Sequence, residues 1–315
     1  MAYRVFFERS APRRAAEFAL AVLGGRGLLR TIETFRADVV IAEFPVVSAA
    51  LGVLRARKRL SIPVCSSISD PAGLYYWAHP GIDLHLLSWP EAMQEVERIA
   101  GPGRAAVVRP LIDRRFLSAP ERSRARAELS LPAGAPVVLV SGGGWGVGDL
   151  GGAVAVAADT VPAAIVVCLA GRNERVRRHL LAAYGADPRV RVLGFSDQMP
   201  ALLAAADAVV HTTGGTTALE ARVVGCPLIS YGTGVAHVRA HARALSSLGL
   251  AQWAPDRVAL APALARALAR APSTPLSVSS LPDAASLVVA VARGAYRAAN
   301  QRAAAASASR DGRGS

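Results

Sequence analysis

The chain has 315 residues, 52% of them hydrophobic, enough to bury one or two sizeable cores and too apolar for an intrinsically disordered protein. Its 36 Lys+Arg against 23 Asp+Glu give a formal charge of +13, which points to an anionic partner such as a phosphate, a nucleotide or an acidic lipid surface. Cys65, Cys168 and Cys226 each lie in or beside an apolar run, as buried reduced thiols do, and no Cys/His spacing suggests zinc.

The start, MAYRVFFERSAPRR, lacks the apolar core of a signal peptide. Residues 6–36 mix Phe18, Leu20, Leu23, Leu28 and Leu29 with Arg9, Arg13, Arg14, Arg26 and Arg30. This reads either as a basic amphipathic helix on an anionic membrane or as a helix covering the first sheet. Gly24, Gly25 and Gly27 are expected to break it. Short apolar, β-branched runs follow at Val39–Ala42, Ile62–Ser66, Leu84–Ser88 and Ala105–Arg109. Pro120, Pro132, Gly134 and Pro136, with the charged run from Glu121 to Arg126, mark a linker over 119–134. Five more runs succeed it: Val137–Val140, Ala164–Ala170, Val190–Leu193, Ala208–His211 and Leu228–Tyr231. Helical segments fall between them, as at Glu174–Tyr184, Gln198–Ala206 and Thr216–Val224. Residues 150–171 are apolar enough to suggest a membrane span, but Asp159 and Pro162 interrupt them, and they read better as a helix followed by a strand. Continuous apolar runs alternating with helices imply parallel sheets buried on both faces, and hence doubly wound α/β domains. The boundaries predicted are a first domain over 1–118 and a second over 135–270. A Pro/Ser-rich loop and last helix over 271–304 would pack back on the first domain, and residues 305–315 would form a disordered tail.

The chemistry is concentrated after the linker. The run Val137–Val140 leads into Ser141-Gly142-Gly143-Gly144-Trp145-Gly146. A glycine-rich turn between strand and helix aims its amides and the helix dipole at an anion. It also serves as a tight turn with no ligand at all. A second such turn follows His211: Thr212-Thr213-Gly214-Gly215-Thr216-Thr217, then a helix carrying Glu220. A carboxylate one turn into that helix can accept both hydroxyls of a ribose, or simply balance the dipole. Arg172, in Gly171-Arg172-Asn173-Glu174, adds a fixed positive charge after the intervening strand. Both glycine turns would lie at the carboxyl ends of parallel strands, where open α/β sheets bind ligands.

The ordered series VSGGGWG (140–146), GRNE (171–174), VLGFSDQMPALLAAADAVV (192–210) and GGTTALEARVVGCPLI (214–229), with RADVVIAEFPVVSAAL (36–51) and SISDPAGLYYWAHPGIDLHLL (67–87), resembles glycosyltransferase family 28. The likeness is to the monogalactosyldiacylglycerol synthases and processive diacylglycerol glucosyltransferases, and more distantly to the N-acetylglucosaminyltransferase of peptidoglycan synthesis. It implies the GT-B fold, two Rossmann-like doubly wound parallel-sheet domains facing a cleft, and a UDP-sugar donor bound mainly by the second. By position it implies Gly142, Gly143 and Gly144 against the diphosphate, with Arg172 helping to hold it. Phe195 and Met199 would border the uracil, Gly214, Gly215 and Thr216 would lie near the phosphates, and Glu220 would bind the ribose. His237 and Arg239 match a sugar-contacting loop found in some members. Family members open with a Gly-rich, His-containing loop that supplies the expected base. Val39–Ala42 corresponds to a later strand, so the first strand or strands of that domain are expected to be missing. Phe44 and Leu74 stand where relatives carry His, whereas Asp70, Trp77 and His79 match. Asp70 is the candidate catalytic base, with loop anchoring as its alternative role; Trp77 and His79 are candidates for the acceptor side.

The resemblance thus implies metal-independent transfer of a hexose or N-acetylhexosamine from a UDP-sugar to a lipid hydroxyl with inversion, with no other cofactor. It implies a cytoplasmic location, peripheral at the inner face of the cell membrane. Alternatives are a degenerate nucleotide-sugar-binding relative and a UDP-sugar epimerase of the same fold. The absence of an aromatic-basic cluster or recognisable module argues against nucleic acid as the partner.

Overall fold

The computed structural model describes residues 10–234, 236–269 and 274–296. Chain packing divides it into two units, one comprising residues up to Leu111 together with those from Ser279 onward, the other Ile112–Val278.

The first unit holds a four-stranded sheet in the order β1 (Val40–Ala42), β2 (Val64–Ile68), β3 (Leu84–Leu87) and β4 (Ala105–Val107), all parallel. β2 and β3 are buried along their whole length, their polar members Ser66, Ser67 and His85 included. The helix Ser10–Thr34 runs through Gly24, Gly25 and Gly27 without a break, against the sequence expectation. Tertiary packing outweighs propensity here. Gly25 sits over the neighbouring Pro45–Ala56 helix so closely that a Cβ would lie 3.4 Å from Leu54, and Ala21 joins Leu51, Leu54 and Val64 in one apolar cluster. Phe18, Val22 and Leu23 of the same helix remain exposed. The helix Ala284–Ala292, capped by Asp283, lays Ala284, Val288 and Val291 on Cys65, Leu84, Leu86 and Val108.

The second unit is a six-stranded parallel sheet in the order β10 (Gln252–Ala254), β9 (Leu228–Tyr231), β8 (Ala208–His211), β5 (Val137–Ser141), β6 (Ile165–Leu169) and β7 (Val190–Leu193). Strand order runs outward from β5 in both directions, so the topological switch point lies between β5 and β8. β10 was not foreseen; its three residues, Gln-Trp-Ala, carry no apolar run. Residues 150–171 form the helix Leu150–Thr160 and then β6, as the sequence suggested. No helix among the described residues is long and apolar enough to cross a membrane.

The segment 119–134, expected to be a linker, is folded into the second unit. Its helix Arg122–Glu128 packs on the helix Met199–Ala205. Buried Arg126 donates to the carbonyls of Ala205, Pro132 and Ala133 and pairs with Asp207 at 2.7 Å. Asp207 also accepts from Arg122 and from the Val137 amide, fixing this segment to the first residue of β5. The chain passes between units at Leu111–Ile112. Asp113–Ser118, expected in the first domain, accordingly belong to the second.

Candidate functional site

The loops after β5 and β8 begin level with one another, because Ser141 pairs in register with His211. They are tied together beyond the strands. The Thr212 hydroxyl donates to the Val147 carbonyl, and a Cβ on Gly143 would lie 3.3 Å from the Thr213 hydroxyl. The loop after β6 joins them: the Arg172 amide donates to the Gly144 carbonyl at 2.8 Å. Gly143 (φ 65°) and Gly171 (φ 59°) adopt a left-handed conformation that makes this approach possible. A Cβ on Gly171 would stand 2.5 Å from the Gly143 carbonyl oxygen.

A cavity of about 380 Å³ opens beside these loops. Gly143, Gly144, Phe195, Met199, Thr216 and Glu220, all singled out from the sequence, line it together. Gly143 and Gly144 begin a single 3₁₀ turn that follows β5. Gly215 is the N-cap of the helix Thr216–Val224, whose first turn carries Thr216 and Thr217 and which bears Glu220 one turn further on. The helix therefore presents its N-terminal amides toward the same cavity as the glycine turn.

Arg172 does not line the cavity directly, but its guanidinium stacks on the Phe195 ring at 3.9 Å. The stack joins a fixed positive charge to the one exposed aromatic of the cavity wall. Burial pushes the Glu220 carboxyl up to about 7, with the Asp113 carboxylate adding to the rise. Asp113 is itself held below the usual carboxylate range by Arg115, which hydrogen-bonds it through two nitrogens and the backbone amide. Arg115 also donates to the Asp197 carbonyl. Asp113, Arg115 and Phe116 were not foreseen as wall residues; nothing local in Ile-Asp-Arg-Arg-Phe marks them, because they reach the cavity only through long-range packing.

Some expected residues lie elsewhere. Gly142 is not in the lining: a Cβ there would be 2.7 Å from the Gly146 Cα, so this glycine is needed to close the loop on itself. Gly214 lies in the loop after β8 with open space where a Cβ would be, and outside the lining. Arg239 is exposed on the helix Ala236–Ser247 and also outside the lining; the His237 side chain lies outside the described residues.

In the first unit, Asp70 is buried, 9% exposed, and accepts from the Trp77 indole at 2.8 Å. This is the loop anchor left open as the alternative to a catalytic base. Trp77 is buried as well. The His79 Nδ1 accepts from the Gly81 amide, and burial, reinforced by Arg13, lowers its pKa to about 4. A neutral imidazole committed to its own turn frames the loop. Cys65, Cys168 and Cys226 are buried, their thiols pushed up to about 12 by desolvation. Among the described residues no group of three or more His, Cys, Asp or Glu is placed to hold a metal ion.

With loops, helix terminus and acid on one cavity, comparison with known proteins becomes informative. Residues 1–103 match the family model for monogalactosyldiacylglycerol synthase, and residues 146–270 that for group 1 glycosyl transferases. The chain has the two-domain parallel α/β fold of the GT-B glycosyltransferases. It is 31% identical over 195 residues to the UDP-N-acetylglucosamine–N-acetylmuramyl-(pentapeptide) pyrophosphoryl-undecaprenol N-acetylglucosamine transferase of Rhodococcus opacus, covering 58% of this chain and 48% of that protein. It is 26% identical over 245 residues to a probable monogalactosyldiacylglycerol synthase 2 of Oryza sativa, covering 72% and 51%. Its structure is similar to the glycosyltransferase SnogD of Streptomyces nogalater, with TM-score 0.54 and 19% identity, covering 93% of this chain and 84% of that one. The chain spans about half the length of the curated relatives it matches. These findings agree with the resemblance drawn from the motifs and with the two-domain parallel α/β fold it implied.

Proposed function

We propose that this chain carries the donor half of a metal-independent hexosyltransferase that moves a hexose or N-acetylhexosamine from a UDP-sugar to a lipid hydroxyl with inversion. The observation that carries the reading is the convergence of three strand-end loops, around Gly143, Arg172 and Thr216, on the cavity that also holds Glu220. In such a transfer the acceptor oxygen forms the new bond at the sugar's anomeric carbon as the bond to the diphosphate oxygen breaks. The acceptor proton passes to a base and the electron pair leaves with UDP. The costly element is the charge developing on that diphosphate. Amides of the Gly143–Trp145 turn and the Thr216–Val224 helix N-terminus, with the Arg172 guanidinium, are fixed in advance and meet that charge without reorganising. Phe195 and Met199 offer the apolar wall that a base requires, and Glu220 the acceptor for two ribose hydroxyls. The printed names of two relatives include an undecaprenol-linked and a diacylglycerol-derived lipid, which supports a lipid acceptor here, and we assign the work to the inner face of a membrane.

The test is a transfer assay with UDP-glucose, UDP-galactose and UDP-N-acetylglucosamine against diacylglycerol and a polyprenyl-diphosphate-linked sugar, with UDP binding measured by calorimetry in parallel. The Gly143→Asp variant is expected to lose UDP binding, since it puts a carboxylate against the phosphate turn. Unchanged UDP affinity in that variant refutes the donor site. UDP binding without transfer identifies a binding relative, and conversion of the UDP-sugar with no acceptor present identifies an epimerase.

A further inference from the structure

A groove of about 930 Å³ in the second unit shares no lining residue with the donor cavity. Its walls carry Arg175, Arg178, His179 and Arg257 and a single acid, Asp149. That acid is spent: it caps the Leu150–Thr160 helix at the Gly152 amide, accepts from the Tyr231 hydroxyl and pairs with Arg257. On the helix Glu174–Tyr184 the one acid, Glu174, pairs with Arg177, while Arg175 and Arg178 point their exposed side chains to the groove.

Exposed apolar residues flank the lining in sequence: Val147 precedes Gly148, with Trp145, 72% exposed, two residues before it, and Val258, 85% exposed, follows Arg257. The Trp145 carbonyl accepts from Asn173 of the groove wall, which fixes its backbone beside the basic residues. An exposed tryptophan and valines near Arg175 and Arg178, which pair with no acid among the described residues, match the two layers of a bilayer surface: acyl-chain boundary for the apolar residues, anionic headgroups for the guanidiniums. We propose that this groove and its flanking apolar residues form a docking face for an anionic lipid surface, distinct from the amino-terminal helix. The inference does not depend on sugar transfer.

The experiment is co-sedimentation of the full chain with phosphatidylcholine vesicles with and without phosphatidylglycerol, with UDP binding as the folding control. Binding to the anionic vesicles and not to the neutral ones is expected. The double variant Arg175→Gln/Arg178→Gln is expected to bind about 30-fold more weakly, each arginine near an anionic surface being worth about a factor of 5, while keeping its UDP affinity. Brominated acyl chains are expected to quench the wild-type fluorescence, and Trp145→Phe to remove that quenching. The proposal is overturned if neutral vesicles bind equally, if the double variant binds as the wild type, or if Arg26→Gln/Arg30→Gln on the amino-terminal helix abolishes binding that the groove variant retains. Retention of a nucleic acid, with no vesicle binding, would assign the groove to that polymer instead.

Discussion

Glu220→Gln should move stability and ligand affinity in opposite directions. Its carboxyl is pushed up to about 7, first by burial and then by Asp113. Between its ordinary value near 4.5 and about 7 the folded chain holds a proton that the unfolded chain has released, so stability falls as pH rises through that window. Above about 7 the full cost is present, and at 1.36 kcal/mol per pH unit it reaches ~3 kcal/mol as an upper bound for a group that keeps some solvent. Gln has no charge to desolvate, so the variant should be more stable than the wild type at pH 8 and no more stable at pH 4. Ligand binding responds the other way. If the ionised carboxylate alone binds the ribose diol, affinity for a UDP-sugar should fall about tenfold from pH 8 to pH 6, and the variant should show no such dependence. At pH 8 it should bind ~10- to 100-fold more weakly, the worth of hydrogen bonds to a charged acceptor. A UDP-sugar is the required probe, because free UDP has a terminal phosphate that titrates near pH 6 itself. Urea melts at the two pH values and calorimetric titrations in buffers of differing ionisation enthalpy measure both effects. A variant that gains nothing at pH 8, or that keeps the wild-type pH slope, refutes the reasoning.

Three further changes probe the frame. Gly171→Ala drives a Cβ to 2.5 Å from the Gly143 carbonyl oxygen at a φ of 59°; stability should fall by ~1–3 kcal/mol and UDP affinity by about tenfold or more, by urea melts and calorimetry. Asp207→Ala leaves the buried Arg126 guanidinium without its carboxylate and frees the Val137 amide; the expected loss is about 3–5 kcal/mol, read as a lower urea midpoint. Asp70→Asn weakens the bond from the Trp77 indole; the first unit should lose ~1 kcal/mol, with the near-ultraviolet tryptophan signal altered and UDP affinity unchanged.

The sheets were legible because a strand buried on both faces is mostly apolar, and runs such as Val137–Val140 and Ala208–Val210 are so without interruption. The donor cavity was legible for a related reason. Its glycine turns follow those strands directly in sequence, so the order strand, glycines, helix carries the geometry with it. Two readings failed where the deciding contact lies far along the chain. Pro120–Pro136 looks loose in composition, yet the partner that folds it, Asp207, comes more than seventy residues later and is itself an unremarkable acid before a strand. Gly24, Gly25 and Gly27 look like helix breakers until the Leu54 side chain is placed over Gly25.

These contacts also show how one unit reconciles a rigid scaffold with a site that binds an anion. The ion pairs of Arg122 and Arg126 with Asp207 sit at the amino end of β5, opposite the glycine turn that follows the same strand. The charges that would meet a diphosphate are left uncommitted to acids: Arg172 is engaged by an aromatic ring rather than a carboxylate. A guanidinium stacked on Phe195 keeps its donors for an incoming oxygen and loses little freedom when one arrives. The nearby acids are arranged so that they do not repel the ligand strongly. Asp113 is neutralised by Arg115, and Glu220 is partly protonated near neutral pH. An ionised Glu220 beside an unpaired Asp113 would oppose a diphosphate; with one acid paired and the other desolvated, the cavity keeps the net positive field that its amides and Arg172 create, and retains a carboxylate to read the sugar hydroxyls once the nucleotide is seated.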